Sequence, residues 1–153
     1  MTLRVGINGF GRIGRNVLRA IIESKRKDIE VVAINNRSSL EVCAHLLKYD
    51  SVHGTFPFEI STSDNNLHVG NKKIFVSSET TIDGIRWDKS NVDLVMECTG
   101  KFNNAEECQK HINAGARKVL ISAPAKDADL TVVYGVNDEK INSGHNIISN
   151  ASC

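Results

Sequence analysis

The chain has 153 residues, enough for one domain with a sizeable core. A formal net charge of +1, with 24% charged and 41% hydrophobic residues, excludes the basic field that gathers nucleic acid or an anionic membrane surface. No apolar run reaches membrane-spanning length, and the strand-like start leaves no room for a signal peptide, so a cytoplasmic globular protein is expected.

Leu3 to Asn8 (LRVGIN) is short, apolar and bounded by glycine, and reads as a strand. From Arg12 to about Ser24, Ile13, Val17, Leu18, Ile21 and Ile22 recur at helical spacing. Glu30 to Asn35 (EVVAIN) is a β-branched strand. Leu40, Cys43, Ala44 and Leu47 line one face of a second helix. Between Phe56 and Val76, short strand-like pieces alternate with tight turns, which predicts a small antiparallel insertion around 56–76. Strand and helix then alternate again. Val92 to Glu97 is a strand, and Ala105 to Ala114 a helix stopped by Gly115. Lys118 to Ser122, Leu130 to Tyr134 and Asn146 to Ser149 are further strands. The pattern predicts an α/β fold, a doubly wound and mostly parallel sheet covered on both faces. Ligands of such sheets bind beyond the carboxyl ends of the strands, which selects Asn8, Asn35, Thr99 and Ser122 as places to inspect.

Cys43, Cys98, Cys108 and Cys153 form no CxxC pair, and the five histidines show no metal-ligand spacing, so no metal site is predicted. Cys98 reads as a small hydrophobe at a strand end, and Cys43 and Cys108 as helix packing residues. Each histidine reads as a surface or satisfied structural residue.

The run Gly9-Phe10-Gly11-Arg12-Ile13-Gly14 is a GxGxxG placed after a strand and opening a helix. Gly9 permits the tight turn, Gly11 lets a pyrophosphate approach the backbone, and Gly14 allows close helix–strand packing. Free N–H groups and the positive helix end then favour an anion. A ribose-reading residue is expected at the end of the second strand, where Asn36 lies 22 positions beyond Gly14. Asn36 has no charge to repel a 2′-phosphate, and Arg37 follows it. Two readings stay open: Arg37 pairs with the 2′-phosphate of NADP, or Asn36 bonds the ribose of NAD while Arg37 faces solvent.

INGFGRIGR (Ile7 to Arg15), AHLLKYDSVHGTF (Ala44 to Phe56), ECTGKF (Glu97 to Phe102), HINAGARKVLISAPAKDAD (His111 to Asp129), VVYGVN (Val132 to Asn137) and SNASC (Ser149 to Cys153) resemble, in order, the N-terminal half of bacterial glyceraldehyde-3-phosphate dehydrogenases. The resemblance implies a Rossmann-type domain over 1–153, with the catalytic domain absent from this chain. It implies that the backbone at Phe10, Gly11, Arg12 and Ile13 binds the pyrophosphate of NAD, with Asn8 close beneath. Thr99 and Gly100 would flank ribose and pyrophosphate, Phe102 the adenine side, and Ser122 the nicotinamide ribose. It implies Cys153 as the nucleophile of a phosphorylating aldehyde oxidation in glycolysis or gluconeogenesis. The partners implied are glyceraldehyde-3-phosphate and inorganic phosphate, in an intact homotetramer. Asn36 departs from the family's usual aspartate, Thr80 stands where an arginine near the adenine is frequent, and Asp138 replaces a frequent histidine. Erythrose-4-phosphate dehydrogenases share the first third and SNASC, while ISAPAKDADL favours the glyceraldehyde-3-phosphate enzyme.

Two other classes fit the loop alone: a stand-alone nucleotide-binding module and a vestigial fold. A module has no need of the SNASC cysteine, and a dead site need not keep all three glycines. The family's catalytic base is a histidine downstream of the cysteine, and none of His45, His53, His68, His111 or His145 fits that motif. The 153-residue chain alone is therefore expected to show no turnover, and measurable phosphorylating oxidation of glyceraldehyde-3-phosphate by the purified piece would refute this.

Overall fold

The computed structural model describes residues 2–151. In chain order, the elements are β1 (Leu3–Asn8), α1 (Arg12–Glu23), β2 (Ile29–Asn35), α2 (Leu40–Lys48), β3 (Tyr49–Asp50), β4 (Gly54–Thr55), β5 (Ile60–Ser63), β6 (Asn66–Val69), β7 (Lys72–Ser77), β8 (Leu94–Glu97), α3 (Ala105–Asn113), β9 (Lys118–Ile121), β10 (Leu130–Thr131) and β11 (Ile147–Ser149). Short 3-10 turns at Ile82–Gly84 and Trp87–Ser90 fill the stretch between β7 and β8. No helix among the described residues is long and apolar enough to cross a membrane.

Nine strands form one sheet in the order β10-β11-β9-β8-β1-β2-β7-β6-β5. The pairs from β10 across to β7 are parallel, and only β5, β6 and β7 run antiparallel to one another. The predicted insertion is thus part of the main sheet. Its last strand, β7, lies parallel to β2 with Asn35 opposite Ser77. The turn-rich sequence reported the hairpin correctly but held no signal for this long-range pairing. The chain adds strands on one side of β1, then returns to add β8, β9, β11 and β10 on the other. The strand order therefore reverses between β1 and β8, the point where such sheets open a crevice.

Apolar alternation makes the two faces. Val5 and Ile7 of β1 pack with Leu18 of α1, Val31, Cys43 and Leu47. Val95, Val119, Ile121 and Ile147 face the other way, against Cys108 of α3, Ile85 and Trp87. Coverage on both faces is incomplete. Leu94, Leu120 and Ile148 border an open apolar cleft of about 730 Å³ on a sheet expected to be covered on both faces. The strand expected over Leu130 to Tyr134 pairs only at Leu130 and Thr131. It ends in a turn where Gly135 takes a positive φ and Tyr134 is 88% exposed.

Arg19 is a buried charge that no pattern flagged. It is 4% exposed on α1 and donates to the carbonyls of Leu47, Lys48 and Gly54 at 2.6–3.1 Å, with its guanidinium over the Phe56 ring. A cation at these carbonyls satisfies the open end of α2 and fixes α1 against it.

Candidate functional site

A cleft of about 310 Å³ opens at the carboxyl ends of β1, β2 and β8. Its floor is a buried chain of hydrogen bonds running across the sheet. The Asn35 side chain accepts from Ser77 Oγ and Glu79 N, and its Nδ2 donates to Asn8 Oδ1 at 2.9 Å. Asn8 Nδ2 donates in turn to Glu97 Oε2 at 2.7 Å. His111 Nε2 lies 2.8 Å from the same oxygen. Trp87 Nε1 meets His111 Nδ1 at 2.9 Å. Because an indole N–H only donates, His111 Nδ1 accepts and the imidazole is neutral, with its hydrogen on Nε2 facing Glu97. The second oxygen of Glu97 accepts from both the backbone N–H and the hydroxyl of Thr99. Four donors thus converge on a carboxylate that is 1% exposed.

The glycine loop sits on this floor. Gly9 has φ +91, and a Cβ there would lie 2.8 Å from the Thr99 backbone nitrogen. A Cβ on Gly14 would stand 2.2 Å from the Gly9 carbonyl oxygen, so only glycine lets α1 begin so close to the turn. Gly11 differs: a Cβ there would meet nothing within 4 Å. The structural reason for glycine is absent at Gly11, while an approaching ligand would need that space.

The three α-helices among the described residues begin differently. Ser39 caps α2 by accepting from Val42 N, and Asn104 caps α3 by accepting from Glu107 N. Gly11 caps α1 with no side-chain bond, which leaves first-turn N–H groups of α1 for a ligand or water.

Of the residues predicted to hold a cofactor, Asn8, Gly9, Gly11, Asn36, Arg37, Thr99 and Phe102 line this cleft. The others are not among its lining residues, although the role expected of Phe10, Arg12 and Ile13 is through the backbone. Phe10 is buried in the core at 2% exposure, and Gly14 lies under the turn. The Arg12 side chain turns away to pair with Asp50 at 3.3 Å, and Ile13 is 44% exposed. Gly100 takes a positive φ just past β8, outside the cleft lining. The Ser122 N–H is tied to the Glu97 carbonyl at the end of β9. Asn36 Oδ1 accepts from Phe10 N at 3.1 Å, and its Nδ2 donates to Cys43 Sγ at 3.3 Å. Cys153 lies outside the described residues.

The resemblance put Thr80 near the adenine side, but sequence reasoning missed the rest of that wall of the cleft, Glu79, Thr81, Ile82 and Ile85. That stretch has neither period, and its place follows from the Asn35 and Glu79 contacts. Lys101 and Cys98 also line the cleft. Burial pushes the Cys98 thiol up to about 11, partly offset by a bond to Ser122, and the Cys108 thiol up to about 12. Both are therefore protonated and weakly nucleophilic near neutral pH.

The profile described as glyceraldehyde 3-phosphate dehydrogenase, NAD binding domain, matches residues 3–105. The chain is 53% identical over 154 residues to a glyceraldehyde-3-phosphate dehydrogenase of Geobacillus stearothermophilus, and 52% identical over 153 residues to that of Xanthobacter flavus. It is 49% identical to glyceraldehyde-3-phosphate dehydrogenase 1 of Bacillus subtilis. These similarities cover all of this chain but only 45–46% of each relative, so the chain spans about half their length.

Glu97→Ala leaves four inward donors without an acceptor. It is expected to lower unfolding stability by about 3 kcal/mol or more, read from urea denaturation. A loss below about 1 kcal/mol would show that the cleft floor does not depend on this carboxylate.

Proposed function

Because the chain belongs to the glyceraldehyde 3-phosphate dehydrogenase NAD-binding-domain family, we propose that it binds NAD in the cleft between β1, β2 and β8 and serves as the cofactor half of an aldehyde-oxidising enzyme. The observation that carries the reading is the α1 start: a glycine turn, no side-chain cap, and open space at Gly11 where a Cβ would stand. This chemistry fits a pyrophosphate, since N–H donors and the helix dipole stabilise an anion that a side chain at Gly11 would obstruct.

In this reading the N–H groups of Gly11, Arg12 and Ile13 hold the pyrophosphate, while the Phe10 N–H, also expected there, is given to Asn36. Ile82, Ile85 and Phe102 flank the adenine side, and Thr99 stands under the loop. Gly100, with Thr99, flanks the ribose and pyrophosphate, and Ser122 stands near the nicotinamide ribose. The bound nicotinamide supplies the hydride acceptor. Cys153 is the nucleophile: its thiolate adds to the aldehyde carbon, and the thioester left after oxidation is released by inorganic phosphate. Cys98 and Cys108 are unsuited to that role because their thiols are held protonated. The substrate is glyceraldehyde-3-phosphate by the names of the relatives, and the whole reaction requires residues beyond this chain.

Two alanine substitutions separate binding from folding. Gly11→Ala is expected to leave the thermal midpoint nearly unchanged while weakening NAD binding in calorimetry by about tenfold or more. Gly14→Ala is expected to destabilise the fold by about 1–3 kcal/mol, because the loop must move off the new methyl group. Unaltered NAD affinity in Gly11→Ala would count against the loop as the pyrophosphate site.

A further inference from the structure

The end of the sheet opposite the glycine loop carries a second cleft, of about 430 Å³, which the cofactor reading does not use. It lies between the last turn of α1, the start of β2 and the turn joining β6 to β7. Leu18, Val31 and Ile74 are buried and supply its floor. The half-buried Ile22, Ile29 and Phe58 supply its walls. Its size falls in the range of ~300–1,000 Å³ that small-molecule sites occupy.

The rim is cationic. Lys25, Arg26, Lys27 and Lys72 line it against a single carboxylate, Glu30, and all four cations are exposed. Glu30 is already neutralised: Lys72 Nζ lies 3.2 Å from its Oε1, and Arg4 reaches its Oε2 at 4.0 Å. Arg26 donates to both oxygens of Asp28, at 2.9 and 2.6 Å. Among the described residues, the side chains of Lys25 and Lys27 take part in none of these pairs or any other. Two uncompensated ammonium groups thus stand over an apolar hollow, in a chain whose formal net charge is only +1. Lys25 adds a second observation. It follows Ser24, the C-cap of α1, and takes φ 54. Glycine usually fills that left-handed place at a helix end, because an L side chain is strained there. The helix stop would be better served by glycine, so the gain from Lys25 is its charge at the rim.

We propose that this cleft binds an aliphatic carboxylate, with the alkyl chain on Leu18, Val31 and Ile74 and the head group between Lys25 and Lys27. The charged groups of the lining all stand on the rim, which suits an unfunctionalised chain with one charged end. The guanidinium fork of Arg26 is engaged by Asp28, so the head is met by two point charges, and a single carboxylate suffices for them. The site is separate from the cofactor cleft and does not depend on what that cleft holds.

The test is calorimetric titration of the full-length protein with octanoate, decanoate and dodecanoate, each below its micelle concentration. Decanol and decyltrimethylammonium serve as head-group controls. Affinity should rise about three- to fourfold for each added methylene, as burial of an alkyl chain requires. Decanol should bind about tenfold more weakly than decanoate, and the cationic chain should not bind. Lys25→Gly combined with Lys27→Ser should weaken decanoate by about tenfold or more. The thermal midpoint of that variant should hold or rise, since glycine relieves the left-handed position, so lost binding could not be blamed on lost folding. NAD affinity should stay within about twofold whether decanoate is present or absent. Decanoate binding unaltered in the lysine variant, or displaced by NAD, would put the acid elsewhere and overturn the site. So would the absence of saturable binding by any of the three acids, or binding to anionic phospholipid vesicles alone.

Discussion

A carboxylate buried in the middle of the sheet has to be met by donors on every side, or the fold loses more in desolvation than packing returns. Glu97 is such a group. Its four donors come from β1 through Asn8, from α3 through His111, and from the turn after β8 through both Thr99 groups. The 3-10 turn at Trp87 joins by donating to His111. None of these contacts is local in sequence except the Thr99 pair. Satisfying one charge therefore fixes the relative placement of β1, β8 and α3.

The cleft inherits its geometry from that requirement. Asn8 spends its amide on Glu97 and its carbonyl on Asn35, so the ends of β2, β1 and β8 are tied level. The Asn35 carbonyl oxygen then holds Ser77 and Glu79, which delivers the wall at Thr80 to Ile85. Thr99, held by Glu97, stands against Gly9 and leaves room there for glycine alone. The turn can then enter α1 without a capping side chain. The other two described α-helices are capped in the usual way, by Ser39 and Asn104. The exception among the described α-helices falls at α1, whose start at Gly11 lines the cleft.

Much of this was legible in the residues. β1, α1, β2, α2, β8, α3 and β9 stand within a residue or two of where periodicity and capping put them, because apolar faces and turn residues are local signals. The glycine loop was legible for the same reason: its three roles are set by adjacent backbone. The wall from Glu79 to Ile85 was not legible in the residue pattern, apart from Thr80, which the resemblance put near the adenine. It has no period, and its position comes from side-chain bonds to Asn35, 44 residues away for Glu79. Nor did the sequence flag Arg19, which reads as an ordinary polar helix position until Leu47, Lys48 and Gly54 present their carbonyls to it.

The residues by themselves determined an alternating α/β chain, a phosphate-type loop at the first helix start, and an uncharged Asn36 beside Arg37. Those features depend on neighbours within a few positions. Only the tertiary structure decided that β7 joins β2 in parallel, that Glu97 and His111 form the floor, and which way the Asn36 amide faces. Each of these is a choice of partner across long sequence separation, made by where a buried donor or acceptor finds its complement. Such complements are present in the sequence as residue types but carry no address there. Packing the strands at one level supplied it.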